Sequence, residues 1–340
     1  MIVNRTRLLG LLSKVKVAIA SQEFVEQSTC FIFKGGRIFA YNDEIAVSTK
    51  ADIDEEIVGA VSAKELVNLL GRVKEEEITV KATDTELNII SGRTKAGILL
   101  QKEITLPIDE LGIPKKWSPL PPDFDYAISE CEYSCGKDMT KPALTCIHLN
   151  EDKAESCDAD FRLTRYTFKK KYFKTPILIP GKSAMEISKY GFDKYSTTQG
   201  WVHFQHKEDD LVFSTRVFDT KYPKLDEFLK VEGVEIKIPK ELGDCLDRCS
   251  IFAETSLKRD ELVKIDISKG RISLKAQNEQ GWIKDSCRMK YKGKPISFLV
   301  NPKVLMGSIK NMESAIIGER NMKFKGENFD HLVALMIKEE

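Results

Sequence analysis

The chain has 340 residues, of which 42% are hydrophobic and 31% are charged, and its formal net charge is +1. These values are typical of a globular protein with two or three domains, and they exclude an overall polycation. No stretch approaches the roughly 18 apolar residues that a membrane helix requires. Lys14 and Lys16 interrupt the apolar run at the N-terminus, which therefore does not resemble a signal peptide. The eight cysteines lack a regular paired spacing, so we expect reduced thiols and a cytoplasmic location.

The first predicted elements are two helices, each followed by a hairpin. Apolar residues recur at helical spacing in residues 8–19, and residues 31–39 hold two β-forming runs around a Gly-Gly turn. Ser62 then precedes a second helix as its predicted N-cap, and Glu65 completes a capping box. A second hairpin follows in residues 78–89.

This helix–hairpin, helix–hairpin pattern occurs three times along the chain. Its clearest marker is a lysine at a strand-to-helix junction, found at Lys64, Lys182 and Lys303, with spacings of 118 and 121 residues. A period of that length is the size of a domain and too long for a solenoid repeat. We therefore predict an α+β fold of three tandem domains, with joints near 117–122 and 230–233. The predicted domains are residues 1–116, 117–231 and 232–340.

The order and spacing of these elements resemble those of the bacterial sliding clamp, the β subunit of DNA polymerase III, over nearly the whole chain. Ile177–Lys182 is similar to the strand-to-helix junction in the middle domain of that family. Phe213–Arg216 followed by Lys221–Pro223 resembles another family segment, although Thr220 stands where the family has glycine. Arg248–Phe252 is similar to the end of the first helix of domain three.

The resemblance implies a ring of six domains made by two copies of the chain, head to tail. Antiparallel sheets would form the outside, and two helices per domain would line a hole around double-stranded DNA. Such a ring is a non-catalytic processivity factor that needs no cofactor. Its implied partners are a DNA polymerase, a clamp loader and repair proteins with clamp-binding motifs. Weak phosphate contacts carry no sequence information, so a threaded ring can slide.

We expect basic residues on or beside the predicted helices to contact DNA. They are Arg5, Arg7, Lys14, Lys16, Arg72, Lys74, Lys189, Lys194 and Lys310. The first helix is the strongest case, because residues 1–22 contain no acid. Any one of these residues alone could equally be a solvated surface charge. Residues 123–137, in contrast, hold four acids against Lys137, so that helix either turns away from the hole or makes its charge patchy.

The resemblance also implies a hydrophobic pocket between domains two and three that takes a short peptide from partner proteins. The matching positions are Arg162, Leu163, Pro223, Phe228, Leu332, Ala334, Leu335 and Met336. In residues 158–163 this chain lacks the glycine and histidine of the family turn, and Phe161 stands there instead. Aliphatic and methionine side chains suit an extended peptide with apolar anchors. The alternative, above all for Leu332 and Ala334, is an ordinary core.

Ring closure would join an edge strand of domain one to a helix of domain three. The predicted dimer contacts are Ala96, Ile98, Leu100, Arg248, Ile251 and Phe252. The apolar members could equally be buried within one subunit.

Two other kinds of protein remain as alternatives: an enzyme, and a non-ring DNA-binding or scaffold protein with the same fold. A metal enzyme could use three pairs of residues. These are Cys131 with Cys135, Cys245 with Cys249, and His203 with His206. Their spacing fits no common zinc pattern, so core cysteines are favoured and no metal is expected. The sequence also lacks a phosphate-binding loop and a nucleophile elbow, so we expect no catalysis.

Overall fold

The computed structural model describes residues 1–112, 114–160, 162–206, 210–255, 261–310 and 312–336. The described helices are α1 (Arg5–Val15), α2 (Ala63–Arg72), α3 (Phe124–Glu132), α4 (Gly181–Ile187), α5 (Leu242–Ala253) and α6 (Pro302–Ser308), with 3-10 turns at Lys16–Ala18 and Pro142–Thr145. Each sequence repeat contributes two of these helices, and the sheets between them are antiparallel. The predicted α+β fold class is confirmed.

Two of the predicted helix starts differ in how they are capped. At α6, the side-chain oxygen of Asn301 accepts hydrogen bonds from the backbone N–H groups of Lys303 and Val304 over 3.0 and 3.1 Å, as an N-cap should. The predicted capping box of α2 is wrong in detail. The hydroxyl of Ser62 donates to the carboxylate of Glu65, and it caps no backbone N–H of the helix.

The chain folds into two compact units. Unit 1 comprises Met1–Ile128 and Ile177–Asp219, and unit 2 comprises Ser129–Pro176 and Thr220–Glu340. Each unit therefore combines one end of the chain with part of the middle sequence repeat. The division into three domains, which follows the repeats, stays a prediction.

Unit 1 is built on one antiparallel sheet that contains the predicted hairpins of its repeats. In spatial order its described strands are β1 (Ile2–Asn4), β6 (Glu77–Ala82), β7 (Glu86–Ser91), β8 (Thr94–Gln101), β5 (Gly59–Ser62), β2 (Cys30–Lys34), β3 (Arg37–Tyr41), β4 (Ile45–Lys50), β16 (Val212–Arg216), β15 (Trp201–Gln205), β14 (Lys194–Thr198) and β9 (Ser118–Pro119). The register pairs Ile32 with Phe39 and Val80 with Ile89, which confirms the predicted hairpins in residues 31–39 and 78–89. It also pairs Phe204 with Phe213 in the second repeat.

Unit 2 contains a larger and a smaller antiparallel sheet. The larger one runs in the spatial order β13 (Phe173–Pro180, of which the first four residues belong to unit 2), β10 (Cys146–Glu151), β11 (Lys153–Cys157), β12 (Arg162–Thr167), β24 (Phe329–Ala334), β23 (Asn321–Lys325), β22 (Ser314–Ile317) and β17 (Val234–Lys237). The smaller one runs β20 (Gly281–Arg288), β19 (Arg271–Asn278), β18 (Val263–Ser268) and β21 (Ile296–Val300). The register pairs His148 with Glu155 in the second repeat and Ile265 with Leu274 in the third, as the repeated helix–hairpin pattern predicts.

The buried side chains explain the residues that could have suggested a metal. All eight cysteines lie among the described residues, and every one is a buried thiol outside any disulfide. His203 is buried and bonds the hydroxyls of Thr198 and Ser214 over 2.8 and 2.7 Å, so both ring nitrogens have partners. Among the described residues, no group of three or more His, Cys, Asp or Glu side chains could hold a metal ion. None of the described helices is long and apolar enough to cross a membrane.

Candidate functional sites

Helix α1 presents a basic face on unit 1. Leu8, Leu12 and Val15 are buried on one side of the helix, where α1 packs against α2. Arg7 and Lys14 are exposed, and their separation by seven residues places them on one face, two turns apart. The exposed face therefore carries positive charge and no acidic side chain of its own helix.

Arg5 and Arg7 differ in their contacts within unit 1 and in their exposure to solvent. The guanidinium of Arg5 donates to the backbone carbonyls of Leu70 and Glu75, each over 3.1 Å, and pairs with the carboxylate of Glu76 over 3.0 Å. Arg7 makes a 2.6 Å ion pair with an exposed aspartate, and its own side chain is 68% exposed. Arg5 thus joins α1 to the end of α2, whereas Arg7 reaches solvent.

Several other predicted cations lie near the end of α1. The hydroxyl of Tyr190 donates to the backbone carbonyl of Lys14 over 2.7 Å, which brings Lys189 into the neighbourhood of Lys14 and Lys16. Lys189 also forms a 2.8 Å ion pair with Glu186 on the preceding turn. The structure therefore gathers three of the predicted DNA contacts into one region of unit 1.

The remaining predicted cations are dispersed. Arg72 and Lys74 are exposed at the end of α2, and Lys310 is exposed just after α6 in unit 2. Lys194 lies at the start of β14, where its ammonium group stands 5.5 Å from the ring centroid of Trp117. A strand position with an aromatic neighbour distinguishes Lys194 from the helix residues.

The four acidic residues in and next to α3 are partly buried. Asp123, Asp125, Glu130 and Glu132 are all half-buried. Burial raises the pKa of Asp125 to about 6, and its Oδ1 atom has no hydrogen-bond partner among the described residues. Burial also raises the pKa of Glu132. Glu130 lies 3.3 Å from the ring of the buried His331. These acids therefore offer solvent less negative charge than four open carboxylates would.

Four of the predicted peptide-binding residues lie close together in unit 2. Leu163 and Leu332 are on paired strands, and Pro223 and Phe228 are in the connection 217–233. Leu163 on β12 lies opposite Leu332 on β24, and both are buried. Leu163 also lies opposite Cys157 on β11, whose sulfur accepts a hydrogen bond from the hydroxyl of Tyr222 over 3.6 Å. That contact anchors the connection 217–233 beside the two leucines, one residue before Pro223.

The same connection is anchored again at its other end. The ammonium group of Lys323 donates to the carbonyl of Leu229 over 3.1 Å, and Lys323 lies opposite Leu332 in the ladder. Between the two anchors, Pro223 is exposed and Phe228 is 57% exposed. An exposed phenylalanine beside a buried aliphatic pair offers apolar surface to a peptide.

The other predicted pocket residues are less uniform. Arg162 pairs with Asp158 over 2.8 Å, with its guanidinium 4.8 Å from the ring centroid of a nearby tyrosine. Ala334 and Met336 are half-buried, whereas Leu335 belongs to the buried core around α5. Leu335 faces the core because successive side chains of a strand point to opposite sides. Phe161 lies outside the described residues.

The predicted dimer contacts form two surfaces, one in each unit, which we call the seam. In unit 1 they lie on β8, one edge of which is mostly unpaired. β8 pairs with β7 along most of its length, but with β5 only through Leu100 and Gln101. Within the described residues, the second edge of β8 before Leu100 has no ladder partner. Ile98 and Leu100 are buried within the unit, which is the alternative left open by the sequence, and Ala96 is half-buried. The exposed apolar side chain is Leu99, at 65%.

The predicted seam in unit 2 lies beside a second sheet edge. β20 ends the smaller sheet, and Trp282 on it is 62% exposed. Ile251 on α5 is 63% exposed, while Arg248 pairs with Asp285 on β20 over 2.7 Å. Phe252 is half-buried against Gly281, where an added Cβ would lie 3.1 Å from its ring. The sequence predictions missed Trp282 and Leu99, because each stands next to another apolar residue and only the alternating burial of the strand in the structure shows which one is exposed.

Comparisons with known proteins identify the fold. No protein-family model matches the chain, and no curated protein matches it either. Three solved structures each match 99% of both chains. They are the DNA polymerase III beta chain of Streptococcus pneumoniae TIGR4 (18% identity, TM-score 0.84), a sliding clamp from Bartonella birtlesii bound to griselimycin (16%, 0.85) and the DNA polymerase sliding clamp of Bacillus subtilis (17%, 0.83). The chain therefore has the fold of bacterial DNA polymerase III β subunits over almost its whole length.

Proposed function

We propose that the chain is a DNA sliding clamp: a non-catalytic processivity factor that encircles duplex DNA and tethers a replicative polymerase and other DNA-processing proteins. The observation that supports this best is the fold, which the chain shares over 99% of its length with two proteins described as sliding clamps. Fold alone does not define function. The proposal therefore also rests on three surfaces of the chain.

The first surface is the basic face of unit 1. Arg7, Lys14 and Lys16 are exposed cations on or next to α1, and Lys189 lies nearby. Long, flexible cationic side chains bind phosphates without reading bases, so they suit DNA that must slide. The further proposed contacts are Arg5, Arg72, Lys74, Lys194 and Lys310.

The second surface is the pair of strand edges. β8 of unit 1 and β20 of unit 2 are unlike edges, and each has an exposed apolar side chain beside it: Leu99 on β8, and Ile251 next to β20. We propose that β8 of one copy pairs with β20 of another. Two such contacts would close a head-to-tail homodimer of three-domain chains and cover edges that invite aggregation.

The third surface is the apolar face of unit 2 at Leu163, Leu332 and Phe228. We propose that it binds short motifs from the polymerase, the clamp loader and repair proteins in turn. A shared pocket for several partners fits exposed apolar anchors on a rigid sheet. The proposed setting is the cytoplasm, where replication proteins work.

Retention on DNA of different topology tests the proposal. The chain is incubated overnight with nicked circular duplex, and the complex is isolated by gel filtration. We expect the protein to stay with the circle at a salt concentration that removes non-specific binders, and to leave once a restriction enzyme makes the DNA linear. Linear DNA with both ends blocked by streptavidin should retain it like the circle.

Light scattering supplies the second measurement. A sliding clamp of this type should be a dimer at micromolar concentration. A non-ring DNA-binding or scaffold protein with the same fold would be a monomer and would bind open linear DNA as well as circles. Either of those results would overturn the proposal.

A further inference from the structure

Unit 1 repeats the strand arrangement that carries the proposed peptide pocket of unit 2. In unit 2 the strands β11, β12, β24 and β23 lie side by side, and in unit 1 the strands β3, β4, β16 and β15 do. The registers correspond. Leu163 pairs with Leu332 in unit 2, and Ala46 pairs with Ser214 at the equivalent position in unit 1.

The connections that cross the two sheets also correspond. In unit 1 the connection contains Leu106–Leu111, with the sequence LPIDEL, and in unit 2 it contains Tyr222–Leu229, with the sequence YPKLDEFL. Both have an apolar residue before a proline, then an Asp-Glu pair and an apolar residue. Leu111 packs in an apolar cluster with Tyr41 and Trp201 of the sheet. Unit 1 therefore has the same arrangement as unit 2, a sheet with a connection packed across it.

Unit 1 contains a cavity between its sheet and the connection that crosses it, in a position related to that of the proposed peptide pocket in unit 2. Its volume is about 300 Å³, and it lies between the connection and the strands β3, β15 and β16. Trp201 and Arg216, which pair in the β15–β16 ladder, form part of its wall. The equivalent ladder pair in unit 2 is Asn321 and Ala334. The unit 1 cavity thus has an aromatic ring and a cation where unit 2 has an amide and a methyl group.

Two contacts within unit 1 hold the guanidinium group of Arg216 in place. Its guanidinium carbon lies 4.2 Å from the ring centroid of Trp201, and Nη2 donates to the hydroxyl of Tyr41 over 3.3 Å. Among the described residues no ion pair involves Arg216, and the residue is exposed, although the carboxylate-bearing Glu110 lines the same cavity. A guanidinium fixed on an aromatic ring is well suited to pair with a carboxylate through two hydrogen bonds.

We propose that this cavity is a second peptide-docking site, specific for an extended acidic segment of a partner protein. An Asp or Glu carboxylate of that segment pairs with Arg216, and a neighbouring apolar side chain packs against Pro107 and Leu111. Glu110, which also lines the cavity, accepts a backbone N–H of the peptide. The site goes beyond the proposed function, and it does not depend on ring closure because all of its residues belong to unit 1.

Tryptophan fluorescence can report on this site alone. With Trp117 and Trp282 changed to phenylalanine, the remaining tryptophan is Trp201 in the cavity wall. The probes are two hexapeptides, one alternating leucine with aspartate and one alternating leucine with lysine. We expect a saturable change of fluorescence with the aspartate peptide and none with the lysine peptide.

Two variants in this background separate the two pockets. Arg216→Gln should weaken binding of the aspartate peptide at least about tenfold, because a charge-assisted hydrogen bond is lost. Phe228→Ala, in the pocket of unit 2, should leave the fluorescence titration unchanged. Equal binding of both peptides, no binding below about 1 mM, or loss with Phe228→Ala but not with Arg216→Gln would overturn the proposal.

A cross-linking measurement on the unaltered chain covers the case in which Arg216→Gln does not fold. The aspartate peptide carries a benzophenone group, and adducts are mapped by mass spectrometry. Adducts near Tyr41, Leu111 or Trp201 support the site. Adducts confined to residues 222–229 and 329–336 overturn it, because they would place the peptide in the pocket of unit 2. The proposed function would survive that result.

Discussion

Tyr190 and Lys14 are joined by a hydrogen bond of 2.7 Å from the tyrosine hydroxyl to the lysine carbonyl. Burial raises the pKa of Tyr190 to about 12, so the hydroxyl keeps its donor hydrogen at neutral pH. The bond ties the last turn of α1, where carbonyl groups run out of helical partners, to the segment after α4. It holds Lys14, Lys16 and Lys189 in one region of unit 1.

These cations lead to a prediction about salt dependence. Changing Arg7, Lys14 and Lys16 together to glutamine should weaken binding to duplex DNA equally for all sequences. If each contacts one phosphate, the slope of log K against log salt should fall in magnitude by about 2.7, since each contact contributes about 0.9. Fluorescence anisotropy with a labelled duplex at several salt concentrations measures the slope.

A matched variant tests whether position or mere charge matters. Lys50, Lys81 and Lys237 are exposed strand residues, and changing all three to glutamine removes the same charge. We expect this control to keep nearly the whole slope. An equal loss in both variants would show that α1 has no special place in DNA binding.

The sequence predicted the repeats well because their signals are local. The cap of α6 depends on Asn301 and its neighbours within three residues, and the hairpin turns depend on adjacent glycines or polar residues. Such short-range chemistry is visible in a single sequence. The strand-to-helix junctions marked by Lys64 and Lys182 are also local sequence patterns, and a helix follows each, although neither helix start has a side-chain cap.

What the sequence could not supply is the choice between two faces of a strand. The run Ile98–Leu100 is apolar throughout, and a shift of one residue exchanges the buried and exposed sides. Ile98 and Leu100 are buried, and Leu99 is exposed. Similarly, Leu335 faces the core while Leu332 faces the connection 217–233, a difference set by pairing with a strand about half the chain away.

The proposed seam gives the next prediction. Ile251→Arg should weaken the dimer, because it puts a charge into the proposed apolar contact next to β20. Central interface residues cost about 2 kcal/mol when altered, which raises the dimer dissociation constant about thirtyfold. Sedimentation equilibrium measures it. Phe24, which is 89% exposed elsewhere in the chain, serves as the control when changed to Arg. Dissociation by both variants, or by neither, would contradict the seam.

The peptide pocket of unit 2 can be separated from the seam by a double variant. Phe228→Ala with Met336→Ala removes two apolar contacts and should weaken binding of a leucine-rich extended peptide by about tenfold or more, each lost anchor costing about 1 kcal/mol. Isothermal titration calorimetry gives the affinity, and light scattering should still show a dimer. Met139→Ala, an exposed methionine outside the pocket, is the control. Loss of the dimer instead would mean that these side chains belong to the seam.

Asp125 gives a prediction about pH, because its raised pKa opposes folding at neutral pH. Burial raises the pKa from 3.8, the ordinary value of an aspartate side chain, to about 6 in the folded chain. The folded state therefore binds the proton of the Asp125 carboxyl group more tightly than the unfolded state does. The stability that this adds is fully present below pH 4 and is lost as the pH rises through 6. Asp125→Asn keeps the shape and removes the charge. It should exceed the original chain in stability by about 1 kcal/mol at pH 7.5, with partial solvent exposure limiting the gain, and match it near pH 4.

Urea denaturation at pH 4, 5, 6 and 7.5 measures this difference. The exposed Asp43, changed to Asn, removes the same charge from the surface and should not reproduce the rise between pH 4 and 6. A lower stability of Asp125→Asn at pH 7.5 would contradict this prediction. It would mean that a favourable partner of the Asp125 carboxylate offsets the cost of its burial. Since Oδ1 has no hydrogen-bond partner among the described residues, we expect the opposite sign.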